Sequence, residues 1–212
     1  MRTIVLGVML LFSSFALADV LEVNIWKSMP GKNQLTMQYG QEARAIMEKM
    51  GADVIIGADL EGRLHVATGF KNWAAWARFG SKMDNSKEWA AFLEKIAANP
   101  SAEREDHYLL NTPAPGRVGK VYQVFIFEPE LGRGGDLVQS GMQAKTIHEK
   151  AGARITIHVD QLGKMHYLMS FDSWDAWGKF QDTPNPEFQA FMQAQGKDPK
   201  ARLVKVYTAN SL

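Results

Sequence analysis

The sequence predicts an α+β fold built from one unit written twice, and three observations carry that expectation. The first is internal similarity. A shift of 101 residues lays Gly31 on Gly132, Gly51 on Gly152, Gly62 on Gly163, His65 on His166, Trp73 on Trp174 and Trp76 on Trp177. After a two-residue deletion, a shift of 99 lays Glu88, Phe92, Tyr108 and Asn111 on Glu187, Phe191, Tyr207 and Asn210. Coincidences of Gly, Trp and aromatic residues at a constant offset mark a repeat. The second observation is that hydrophobic periodicity reads strand, helix, strand, strand, helix, strand in each half. The third is a segment rich in proline and glycine, residues 112–118, where Pro113, Pro115 and Gly116 read as a linker between copy one (19–111) and copy two (119–212).

Each element has a local reason. Residues 21–26 and 121–127 are rich in β-branched and aromatic side chains and read as first strands. A helix follows over 33–50, where Leu35, Tyr39, Ala43, Ile46 and Met50 recur every three or four residues and Gly51 supplies the C-terminal stop. Copy two repeats this helix over about 136–151, stopped by Gly152. Residues 54–56 and 64–67 flank Asp59-Leu60-Glu61-Gly62 as a hairpin, and 155–159 and 165–169 flank Gly163 in the same way; both glycines suit a positive φ. Asn72 and Ser173 are N-cap residues for the Trp-Ala-Ala-Trp and Trp-Asp-Ala-Trp helices, and Ser86 and Asn185 cap the short helices that follow. Last strands end near Asn111 and Asn210. A βαββαβ order places both helices on one face of an antiparallel sheet in the ferredoxin-like arrangement, and the bare faces of two fused copies can cover each other.

Composition narrows the function classes. The chain has 212 residues, 24 Lys+Arg against 23 Asp+Glu, 46% hydrophobic residues and no cysteine. Near-neutral charge without a basic patch argues against a nucleic-acid partner. Without cysteine there is no disulfide, thiolate nucleophile or Cys-ligated metal. Residues 1–18 run from Arg2 through an apolar stretch to Ala16-Leu17-Ala18, the order of a cleavable secretory signal. The expected product is exported, periplasmic or secreted, with no membrane association after cleavage. No nucleophile elbow, P-loop, dinucleotide fingerprint or zinc-protease pair is present.

The strand order, the copy length and the Phe70, Trp73, Trp76, Phe79 spacing resemble the dimeric α+β barrel superfamily, and within it the antibiotic-biosynthesis-monooxygenase-like domains. The resemblance covers the mature chain. It implies two sheets packed as an intrachain dimeric α+β barrel, either a monomeric pseudo-dimer or a higher homo-oligomer. It also implies a small-molecule-binding protein, as one reading a cofactor-independent monooxygenase acting on an aromatic or other apolar substrate. The alternative is a non-catalytic periplasmic protein that binds haem or another hydrophobic ligand. No cofactor is expected on the first reading; haem is the cofactor of the second.

Asn24, His65 and His166 are the candidate catalytic residues, and Trp26, Trp76, Phe79, His158, Trp177 and Phe180 the candidate ligand-binding residues. Asn24 lies mid-strand, where asparagine is disfavoured, seven residues before Gly31. In the haem-degrading branch of the superfamily an asparagine stands at this place; Asn24 matches it, but the branch's helical tryptophan corresponds to Phe79 and its histidine has no counterpart over 89–93. His158 and His166 are expected to oppose each other across a hairpin, with Gly57 and His65 at the same places in copy one. No carboxylate at metal-ligand spacing accompanies the pair, and no metal is expected. His107 and His148 read as surface residues. The aromatic stripes suit helix faces packed on the sheet, with a ligand pocket expected between helices and sheet.

Overall fold

A computed structural model describes residues 18–212. The segment read as an export leader thus falls, up to residue 17, outside the described residues. Among those described, no helix is long and apolar enough to cross a membrane.

The elements run β1 (Val20–Ser28), α1 (Asn33–Lys49), β2 (Asp53–Asp59), β3 (Leu64–Phe70), α2 (Trp73–Asp84), α3 (Lys87–Ala98) and β4 (Ala102–Ala114) in the first half. The second half repeats them as β5 (Val121–Pro129), α4 (Gly134–Lys150), β6 (Arg154–Asp160), β7 (Met165–Phe171), α5 (Trp174–Asp182), α6 (Pro186–Lys197) and β8 (Ala201–Ser211). All four N-cap side chains accept from the third backbone N–H of their helices: Asn72 from Ala75, Ser86 from Trp89, Ser173 from Ala176 and Asn185 from Phe188. Gly62 and Gly163 take φ of +79° and +82° at the two hairpin turns, a region closed to most L residues.

The eight antiparallel strands close into a barrel in the order β1-β3-β2-β8-β5-β7-β6-β4. Within each half the order is 4-1-3-2 or 8-5-7-6. Closure comes from pairing across halves, β2 with β8 (Asp59↔Ala209) and β4 with β6 (Leu110↔Asp160). Strand β4 extends through residues 112–114, into the segment read as linker, because Ala114 continues the pairing with Ile157. Pro113 is tolerated there since the register shifts between Asn111 and Ala114.

Strand parity divides the core into layers. Leu21, Val23 and Ile25 point into the barrel with Tyr122, Val124, Ile126, Leu110 and Ala209, while Val20, Leu64, Val66 and Phe70 point out against α1 and α2. One face of the sheet thus meets the helices and the other meets its own opposite wall. Ile25, Ile56, Ile155 and Ile157 are almost fully buried, and truncating any of them to Ala would cost about 2–5 kcal/mol.

Candidate functional site

On the helix side of the first half, parity sets Glu22, Asn24 and Trp26 of β1 on one face. Trp76 of α2 donates its indole Nε1–H to Glu22 Oε2 at 2.7 Å, and His107 of β4 meets Glu22 Oε1 through Nε2 at 3.0 Å. The carboxylate only accepts, so His107 carries its hydrogen on Nε2 and presents Nδ1 as the basic nitrogen. Asn24 lies directly opposite His107 in the β1·β4 register, and its Oδ1 accepts from Arg104 at 3.4 Å. From sequence His107 reads as a bare surface residue; it is exposed, yet it is held in a Glu22–His107 dyad beside Asn24. Trp26 and Trp76 pack on the helix-side core cluster that contains Phe79.

The second half has the same scaffold with different chemistry. Gln123, Phe125 and Phe127 stand where Glu22, Asn24 and Trp26 do, and Val206 and Leu203 replace His107 and Arg104. Leu203 and Val206 are exposed at 51% and 41% beside half-buried Phe125 and Phe127, an apolar strip in place of a polar one. Trp177, the counterpart of Trp76, keeps its Nε1 buried with no acceptor, because no carboxylate replaces Glu22. Phe180 packs on Phe171 at 5.1 Å. His148, expected at the surface, is buried: Nδ1 bonds the Tyr167 hydroxyl at 2.8 Å and the ring packs 4.3 Å from Phe188. Burial pushes its pKa down.

The other three histidines line the barrel interior, on the opposite face from Asn24. His65 donates through Nε2 to Asp59 Oδ2 at 2.9 Å, and its ring packs against Tyr207 with centroids 4.8 Å apart and planes tilted by 49°. His166 meets Asp160 Oδ2 at 3.3 Å and Tyr108 at 4.7 Å. Each Asp–His pair thus belongs to one half and its tyrosine to the other. His158 opposes His166 as expected, and its two ring nitrogens each meet a threonine hydroxyl, Thr112 and Thr156, at 3.0 Å. Burial, and then neighbouring His166, push its pKa down to about 3. Asp59 also accepts from Arg63 Nε at 2.5 Å and from the amides of Glu61 and Arg63; against burial, which raises it, the His65 bond first and then those of Arg63 hold its carboxyl well below the usual range. From sequence no carboxylate stands at metal-ligand spacing beside the histidine pair; what Asp160 supplies is a hydrogen-bond partner for His166, six residues before it as Asp59 is before His65. The signal was present as a repeated Asp-x-x-Gly-x-x-His, whose aspartate doubles as the acceptor for the hairpin's own amides.

The nominated residues therefore fall into two groups that do not meet. Asn24, Trp26, Trp76, Phe79, Trp177 and Phe180 belong to the helix side, and His65, His158 and His166 to the interior. A single substrate cannot touch both Asn24 and a barrel histidine. The enclosed space found among the described residues is likewise inside the barrel: a cavity of about 60 Å³ touching His65, His158, Tyr122 and Tyr207, covered by Thr112, Pro115, Gly116 and Val118. Drug-sized ligands occupy pockets of roughly 300–1,000 Å³, so the interior histidines do not fit a haem. Buried His148, enclosed by Tyr167 and Phe188, does not fit one either. No group of three or more His, Asp or Glu placed to hold a metal occurs among the described residues.

No protein-family model and no curated protein matches the chain. Solved structures do. A candidate monooxygenase from Lactobacillus acidophilus is similar at 12% identity and a TM-score of 0.63, over 92% of this chain and 94% of that one. An anthrone oxidase-like protein is similar at 13% identity and 0.60, over 94% and 93%. A haem-binding protein from Thermus thermophilus is similar at 8% identity and 0.52, over 92% and 91%. Identities this low speak to fold: an α+β architecture with an eight-stranded antiparallel sheet and six helices, which monooxygenase-like and haem-binding proteins share.

Proposed function

We propose that this chain is an exported, small-molecule-binding protein of two ferredoxin-like repeats packed as an intrachain dimeric α+β barrel, and that it oxygenates an aromatic or other apolar substrate without a cofactor. The observation that carries the reading is the Glu22–His107 dyad directly opposite Asn24, beneath the Trp76 indole. Such a group suits proton abstraction from an acidic carbon next to an aromatic ring: Glu22 orients the imidazole, Nδ1 takes the proton, and the Asn24 amide hydrogen-bonds the oxygen on which charge develops. The resulting carbanion bonds dioxygen, and loss of water turns a methylene into a carbonyl. Dioxygen supplies the oxidising equivalents, one oxygen atom entering the product and the other leaving as water. The similarity to an anthrone oxidase-like fold supports this class of substrate.

Oxygen uptake by the mature protein with anthrone-type and quinol-type substrates tests the proposal. His107→Ala and Asn24→Ala are each expected to lower the rate at least 100-fold, on the order expected for general-base and oxyanion groups. Uptake that is absent in the wild type, or unchanged in both variants, overturns it. The apolar strip of the second half favours a second reading, non-catalytic binding of a hydrophobic ligand whose acceptor atom meets Trp177 Nε1. On that reading the tryptophan fluorescence shifts on ligand addition in the wild type, the shift is lost in Trp177→Phe and kept in Trp76→Phe, and no oxygen is consumed.

A further inference from the structure

Strand register builds the barrel interior in rows. Ile55, Ala67 and Val23 stand side by side across β2, β3 and β1, and Thr156, Leu168 and Val124 do the same across β6, β7 and β5. The next row toward the hairpin turns holds Gly57, His65 and Ile25 in one half and His158, His166 and Ile126 in the other. All six residues of the first rows line the cavity, so its body lies between two facing, largely aliphatic surfaces, one from each half. Ala67 stands where the second half has the larger Leu168, and the carbons it lacks leave part of the void.

The polar atoms of the wall are turned toward one another. The hydroxyls of Thr112 and Thr156 bond the two nitrogens of His158, and His65 Nε2 is held by Asp59. The phenols that line the cavity gather at the His65 end: Tyr207 packs against that ring, and the Tyr122 hydroxyl lies against Gly57, the direct cross-strand neighbour of His65. A buried water needs two to four polar partners. It can find them beside His65, but between the Ala67 and Leu168 rows it meets at most the Thr156 oxygen, so that stretch is dry. A charged guest would lose its hydration there with no counter-charge to offset the loss. An apolar cavity of about 150 Å³ stays empty of water and takes up benzene or xenon, so the space of about 60 Å³ here suits about two or three heavy atoms, or one xenon atom.

We propose that the barrel interior is a binding site for one small, uncharged, apolar molecule of dioxygen or short-alkane size, seated between the Ala67 and Leu168 rows. The site lies on the opposite face of the sheet from Asn24 and His107 and stands independently of the oxygenase reading. Xenon under pressure is the probe. In crystals of the full-length wild type, one xenon atom is expected inside the barrel between Val23, Ala67, Val124 and Leu168. In solution, the methyl resonances of those residues should shift with xenon pressure and saturate, and azide should leave them unmoved. Ala67→Leu, which fills the void, should weaken the xenon response at least tenfold while the near-ultraviolet circular dichroism stays that of the wild type. The crystal measurement is free of any variant's folding. Xenon found only outside the barrel, ordered water filling the space between the two rows, or an unaltered xenon response in folded Ala67→Leu overturns the proposal.

Discussion

Replacing Asp59 by Ala and, separately, its counterpart Asp160 by Ala compares two sites built on the same turn. Asp59 Oδ1 accepts from the amides of Glu61 and Arg63 at 2.9 Å, and Asp160 Oδ1 from those of Leu162 and Lys164 at 2.9 Å. Those losses cancel in the comparison. Each aspartate also holds its histidine, at 2.9 Å and 3.3 Å respectively. What differs is Arg63, whose side chain is 10% exposed and bonded to Asp59 Oδ2, whereas Lys164 makes no side-chain bond to Asp160. Removing one partner of a buried ion pair costs about 3–5 kcal/mol. Glu105 at 3.2 Å and Glu61 at 3.3 Å still face Arg63 and offset part of this. Asp59→Ala is therefore expected to cost about 3 kcal/mol and Asp160→Ala about 1–2 kcal/mol. For a chain of this length the difference corresponds to a gap of roughly 2–8 °C in Tm. Urea unfolding at pH 7 followed by tryptophan fluorescence, with equal m-values required, measures both. Costs equal within about 0.5 kcal/mol, or a larger loss for Asp160→Ala, would refute the assignment of the difference to Arg63.

Three further outcomes follow from the same geometry. His158 stays neutral in the fold because its pKa is pushed down to about 3, while in the unfolded chain it takes a proton below about 6.5; stability is therefore expected to fall as pH drops from about 6.5 toward 3, by on the order of 4 kcal/mol, and His158→Gln to flatten the pH dependence of the urea midpoint. Gly57→Ala would force a Cβ to 2.4 Å from the Tyr122 hydroxyl and 2.8 Å from the Asn210 carbonyl, at about 1–3 kcal/mol, whereas Gly80→Ala in helix α2 meets nothing within 4 Å and is expected to stabilise by about 0.5–1 kcal/mol; thermal melts of both check the contrast. Trp76→Phe removes the donor to Glu22, whereas Trp177→Phe removes a buried donor that has no acceptor, so the first is expected to cost about 1 kcal/mol more than the second in matched urea melts.

The element order was legible because each signal is local. Asn72, Ser86, Ser173 and Asn185 cap their own helices, and Gly62 and Gly163 turn their own hairpins. The opposition of His158 and His166 followed from counting back from Gly163, since register in a short hairpin is fixed by its turn. The candidate site was harder to read. Asp59 and Asp160 looked like turn residues because they are turn residues; that the second carboxylate oxygen reaches a histidine six positions on depends on the pleat of two strands. His148 looked exposed because the polar positions of α4 gave no hint that Tyr167 would meet it from β7. The Glu22–His107 dyad joins residues separated by most of a copy, and β1·β4 pairing is what brings them together.

The βαββααβ order of elements in each half and the set of residues that share a strand face are written in the sequence, because they depend on periodicity, caps and turns. Which face meets the helices and which meets the other copy was decided only by tertiary structure. Strand parity is symmetric under exchange of its two faces, and only closure through β2·β8 and β4·β6 breaks that symmetry. Closure sends Asn24 outward and His65 inward, brings Tyr207 of one half onto the histidine of the other, and encloses the cavity. The physical reason is range: caps and turns act over a few residues, whereas those contacts join positions from 43 residues apart (Ala114 with Ile157) to 154 apart (Gly57 with Ser211) and exist only when both sheets are complete.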